Sequence, residues 1–230
     1  FDLNKENSLH TNYKKKKKEE ENPLELFQIW LNLPKAKKFA EPFYTMLWAE
    51  DIPVVTEKDD NGKQTEVTLI AGKLNEIAAP PPAPDSWAAN PDNEVGIWLI
   101  KMEPNAKWTV PPASMETKRT LYFYKGNTIT AAGIKIESYH SLEMLAEQPV
   151  IIENDDKTAY LLLLQGRPIN EPVVQHGPFV MNNAAEIRQA FSDYRSTQFG
   201  GWPWKKYDNV HSPEKGRFAK YTSGKEEQPG

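Results

Sequence analysis

The 230-residue sequence predicts an all-β protein, a sandwich or barrel of short strands followed by one C-terminal helix and an irregular tail. Three observations predict it. Strand-sized runs rich in Val, Ile, Leu, Tyr, Phe and Trp recur at short intervals, each bounded by Gly, Pro, Asn or Asp. No helical pattern alternates with them, which argues against a parallel sheet with crossover helices. Nineteen prolines against twelve glycines stiffen the turns in between.

Taken in order, residues 1–22 are polar and end in Lys14–Lys18 followed by Glu19–Glu21. A tether for anionic partners and a solvated loop whose charge blocks offset each other both fit, and the loop is favoured. Leu24–Leu33 (LELFQIWLNL) suits helical spacing at Leu26, Ile29 and Leu33. It suits a strand better, with apolar residues on both faces and a stop at Pro34. Pro42 and Pro53 favour an extended linker through residues 35–55. Strands are then expected over Glu66–Ala71, Val95–Met102, Arg119–Tyr124, Thr128–Glu137 with a break at Gly133, Val150–Glu153 and Thr158–Leu164. Ala79–Pro84 (APPPAP) reads as a stiff surface loop, with a ligand for a proline-reading domain as the alternative.

One helix carries its own start and stop signals. Asn182 or Asn183 caps it, Glu186 follows as in a capping box, and Gly200-Gly201 ends it. Ile187, Ala190, Phe191 and Tyr194 form its apolar stripe. The tail beyond is expected to be pinned by Trp202, Trp204 and Phe218 and to fray after Tyr221.

Composition narrows the chemistry. A net charge of −4 and a pI near 5.7 argue against direct nucleic-acid binding, which needs a basic surface. The absence of cysteine removes disulfides, thiolate nucleophiles and Cys-ligated zinc. The longest apolar run, Ala159–Leu164, is strand-sized, so no membrane span is expected and the cytoplasm is the expected compartment. The four histidines are His10, His140, His176 and His211, and none sits two or four residues from another. His176 is expected to bond a backbone carbonyl in a Gly-Pro turn, His140 to lie at the surface, and His211 to make a local turn bond. There is no G-x-S-x-G elbow, P-loop or dinucleotide glycine pattern. Asp59-Asp60 and Asp155-Asp156 read as solvated turns rather than acid–base pairs. Trp87, Trp98, Trp108 and Tyr122 suit either an apolar pocket or ordinary core, and core is the default. The residues themselves therefore indicate a binding or structural domain, with no catalytic, cofactor-binding or metal-binding residue assigned.

Two long stretches add a resemblance. Gly166–Asn182 (GRPINEPVVQHGPFVMN) resembles the C-terminal signature of the pirin family, and Leu26–Pro34 (LFQIWLNLP) resembles the segment where that family leaves its first barrel. Asp85–Ala88 (DSWA), Arg119–Phe123 (RTLYF) and Phe199–Trp204 (FGGWPW) support it, and the likeness runs over residues 22 to about 227. The resemblance implies a bicupin, two facing cupin barrels. It further implies an iron ion in the N-terminal barrel, held by a His-x-His pair and a later His-x-Glu pair. Quercetin-type dioxygenase activity on a small aromatic substrate, redox sensing, and transcriptional coregulation through a protein partner are the roles it brings. Neither histidine motif occurs here, so no ligand carries over and no cofactor is expected in this chain. On that reading the chain is N-terminally incomplete. Residues 1–34 are a remnant of the first barrel with a charged loop, 35–65 a linker, 66–181 the C-terminal cupin barrel, and 182–230 the helix and tail.

Overall fold

A computed structural model describes residues 9–11, 25–205, 207 and 212–230, with 9–11 and 213 described by backbone alone. The expectations for Lys14–Glu21 and for the His211 turn bond fall outside these residues. The described chain divides into two compact units, one of residues 51–82 and 86–169, the other of 1–50, 83–85 and 170–230.

The first unit is an antiparallel double sheet. Apart from a two-residue hairpin of Lys73–Leu74 with Ile77–Ala78, its strands are β1 (Val54–Lys58), β2 (Gln64–Ala71), β3 (Gly96–Met102), β4 (Lys107–Val110), β5 (Lys118–Lys125), β6 (Thr128–Ala131), β7 (Ile134–Glu137), β8 (His140–Leu145), β9 (Val150–Asn154) and β10 (Ala159–Gly166). One sheet runs β8-β5-β10-β3-β2-β1 and the other β7-β6-β9-β4. The inward rows follow from the period of two: Val67 and Leu69 on β2, Trp98, Ile100 and Met102 on β3, Leu121 and Phe123 on β5, Leu161 and Leu163 on β10. Facing them, Trp108, Val110, Ile129, Ala131 and Ile152 complete one buried core.

Turn chemistry sets the corners. Gly72 holds φ +83°, and a Cβ there would lie 2.3 Å from the Val95 carbonyl oxygen, so glycine alone fits. Ala132 and Gly133 take φ of 48° and 79° between β6 and β7, the two positive values of a type I′ hairpin turn. The expected break at Gly133 within Thr128–Glu137 is this hairpin turn.

The second unit is smaller. Strands β11 (Val174–His176) and β12 (Phe179–Met181) form a hairpin beside helix α1 (Ala184–Thr197). Asn183 caps the helix by accepting from the Glu186 backbone N–H. The Glu186 carboxylate reaches back to the Asn182 N–H, one residue before the cap. Met181, Ile187 and Ala190 form a buried cluster under the helix, with Val174, Phe179 and Phe191 packed against them.

Four expectations change. Residues 25–34 are not a strand: none of the described strands pairs with them, and Leu26 stays 79% exposed. Apolar alternation alone does not make a strand without a ladder to join. The interval 35–65, expected as a linker, contains β1, which pairs with β2 behind Pro53. The strands of the barrel end at Gly166, since β11 and β12 pair with each other and pack on the helix. The tail does not fray after Tyr221, because Glu226–Glu227 pairs with Phe218–Lys220, which also pairs with Leu9–Thr11. That last pairing also places three residues of the expected solvated loop in a ladder.

Candidate functional site

The interior of the barrel is the first place to look for a ligand site, and side chains fill it. Trp98 and Trp108 are buried in the common core. Trp108 donates its indole N–H to Glu57 at 2.7 Å, while the Trp98 Nε1 is buried without a partner. Trp87 lies outside that core and donates to the Arg167 carbonyl at 2.8 Å. Tyr122 points outward and is 40% exposed. The four aromatic residues line no common pocket, and the default core reading holds for Trp98 and Trp108.

A polar network sits where β5 and β10 begin and end. Arg119 faces inward on β5 and is 3% exposed. Its guanidinium donates to the Gln165 side chain at 2.7 and 2.9 Å and to the Pro111 carbonyl at 2.9 Å. Gln165 in turn donates to the Glu94 carbonyl. Glu94, in left-handed backbone at φ 47°, accepts from the hydroxyls of Ser114 and Thr117 and from the Ser114 N–H. Arg167 lies 3.9 Å from the same carboxylate. Burial alone would raise the Glu94 carboxyl, but these donors and the Arg167 charge bring it below its ordinary value. Burial also lowers the Arg119 guanidinium, opposed by the Glu94 charge. The arrangement holds loop to strand. It presents no nucleophile beside a base.

The Gly166–Asn182 stretch is divided by the fold. Arg167 belongs to the barrel network, whereas Glu171, Asn182 and His176 belong to the helical unit. There Asn182 donates to Glu171 and Pro172, and Lys35 bridges Glu186 at 2.7 Å. The His176 ring meets Phe191 edge-on at 5.4 Å instead of a backbone carbonyl, which corrects the expected bond. An aromatic ring is what the helix presents at that point. Phe179, Phe191, Tyr194 and Phe199 extend the edge-to-face chain. His140 is exposed on β8, with Nδ1 near the carbonyls of Glu137 and Ser138. The side chains of His10 and His211 lie outside the described residues. Among the described residues no group of three His, Asp or Glu side chains is placed to hold a metal ion. No described helix is long and apolar enough to cross a membrane.

The double antiparallel sheet with its filled interior defines a cupin-type β-sandwich, and comparison with known proteins agrees. Residues 97–200 match the pirin C-terminal cupin domain. Human pirin is 33% identical over 185 residues, covering 78% of this chain and 59% of its own length. Pirin-1 of Arabidopsis thaliana is 33% identical over 175 residues, covering 75% and 57%. The crystal structure of a quercetin 2,3-dioxygenase from Acinetobacter baumannii superposes with a TM-score of 0.61 at 25% identity, over 74% of this chain and 55% of that one. Over the region shared with these relatives, the chain belongs to the pirin family. It spans less than two thirds of the length of the curated relatives it matches.

Proposed function

We propose that this chain supplies the second cupin barrel of a pirin-like bicupin and holds no iron site of its own. Iron-dependent, quercetin-type dioxygenation or redox sensing, and any small aromatic substrate, then belong to complete members of the family. The observation that carries the reading is the donor set. An iron ion of the two-histidine, one-carboxylate kind needs its ligands on one face, and among the described residues no three His, Asp or Glu side chains are grouped to hold a metal ion. The described residues do not fit the metal. The proposed compartment is the cytoplasm.

Metal analysis of the purified 230-residue chain tests this. Iron far below one per chain, with no consumption of flavonol under oxygen, is the expected outcome. One tightly bound iron per chain would overturn the proposal.

A second reading, a protein-interaction module with a coregulator role, is favoured by one feature. Pro81, Pro82 and Pro84 are exposed on the loop after Ala79, where a stiff extended segment suits a proline-reading partner.

A further inference from the structure

The four-stranded sheet ends on β7, whose outer side pairs with no described strand. The neighbouring edge of the other sheet is β8, joined to β7 by Ser138 and Tyr139. Between the two edges lies an open cleft of about 350 Å³ lined by Lys135, Ile136, Glu137, His140, Ser141 and Leu142.

The hairpin turn decides which backbone groups this edge offers. In a two-residue type I′ hairpin the flanking residues, Ala131 and Ile134, are the hydrogen-bonded pair. Hydrogen-bonded and non-hydrogen-bonded pairs alternate, so Ile136 bonds Ile129, and Lys135 and Glu137 turn their N–H and C=O groups outward. Two observations agree. The Thr128 carbonyl, opposite Glu137, accepts from Asp155 on the far side of β6. The Glu137 carbonyl has His140 Nδ1 at 3.1 Å, on the β8 side, and a second lone pair remains for another donor.

Lys135 and Glu137 are exposed, and neither enters a salt bridge among the described residues. An edge strand with opposite charges two residues apart is complementary to itself. When two copies pair antiparallel across a twofold axis, opposed residues share a face, so allowed registers differ by two residues. One register opposes Lys135 to Lys135 and another Glu137 to Glu137, both repulsive. The register between them opposes each Lys135 to Glu137 and sets Ile136 against Ile136. It is also the register in which the outward backbone groups of Lys135 and Glu137 meet each other.

We propose that two copies of this chain associate edge to edge through Lys135–Glu137, with reciprocal Lys135–Glu137 ion pairs. Ile134, 66% exposed, and Tyr139, 88% exposed, flank the contact and gain cover from it. A ladder of so few opposed residues is short, so the dimer is weak and salt-sensitive.

Sedimentation equilibrium of the full chain up to about 1 mM, at low and high salt, provides the test. The expected result is a concentration-dependent dimer that weakens with salt. K135E and E137K should each raise its Kd about tenfold or more, while the double variant K135E/E137K restores it. Circular dichroism checks that each variant is folded. In a mixture of unlabelled and 15N-labelled chains, a water-soluble carbodiimide activates the Glu137 carboxylate. The Lys135 amine then attacks it, forming an amide and releasing the urea. A mixed-isotope cross-link between these two residues is expected. A chain that stays monomeric, a dimer indifferent to either single charge reversal, or one the double variant fails to restore would each overturn the proposal.

Discussion

In the barrel, Leu121, Phe123, Leu161 and Leu163 are fully buried by strands that supply one another's partners. In the helical unit the cluster under the helix is Met181, Ile187 and Ala190, flanked by half-buried Val174, Phe179 and Phe191, and Trp48, Phe218 and Ala219 are buried apart from it. Its extended segment 25–34 leaves Leu26 and Leu31 open, and Phe39 follows at 78% exposure. The contrast shows what a closed sheet pair achieves. Every strand that turns one face inward meets another that does the same, whereas a hairpin and one helix cover each other on a single side. The barrel therefore has the deeper core to lose.

The largest expected effect follows directly. Phe123→Ala removes a wholly buried ring whose edge also contacts the space beside Gly126. A loss of about 3–5 kcal/mol is expected in urea denaturation followed by tryptophan fluorescence. Truncation of half-buried Phe191 in the helical unit serves as the control. If Phe191→Ala costs as much as Phe123→Ala, the contrast between the units is broken.

The same contrast governs what was legible from the sequence. Glu66–Ala71, Arg119–Tyr124 and Thr158–Leu164 match observed strands closely because their apolar residues alternate and turn residues bound them. The helix was legible because Asn183 and Glu186 are local signals that need no tertiary partner. Lys107–Val110 escaped notice because four residues carry too little periodicity, and His140–Leu145 because an exposed edge strand is half polar. Leu24–Leu33 was misread for the converse reason: it is apolar on both faces, yet a strand also needs a neighbour to bond. The Glu94–Arg119 network was not legible at all. Its members are brought together by loops, from positions 94, 114, 117, 119, 165 and 167, and no spacing rule links them.

That network offers an intermediate effect. The Glu94 carboxyl lies below its ordinary value when folded, so its contribution is present above the usual carboxylate range. It fades as the pH falls through the folded value. Glu94→Gln keeps the shape and removes the charge. A loss of about 1–2 kcal/mol near neutral pH is expected, discounted from the usual worth of a charged hydrogen bond because the side chain is 31% exposed. The difference from the parent should narrow on acidification. A variant equally destabilised at pH 7 and in acid would mean that packing, not charge, holds the loop to β5.

The smallest effect sharpens the comparison from the other unit, at alkaline pH. Tyr221 is pushed up to about 12, first by burial and then by its hydrogen bond to Glu227 and that carboxylate's charge. For a phenol, a raised folded value means the neutral form is favoured in the fold. The resulting stability is complete below the ordinary tyrosine value and is lost as the pH rises towards 12. Ultraviolet titration should show one tyrosine ionising after the exposed ones, and Tyr221→Phe should remove that late step. Stability of the variant at neutral pH should fall by only about 1 kcal/mol, the net worth of one hydrogen bond. The alkaline limb of the parent's stability curve should be the steeper of the two. If the titration shows no late step, the ladder of Phe218–Lys220 with Glu226–Glu227 opens before the barrel does, and the helical unit is the weaker partner at its tail as well as in its core.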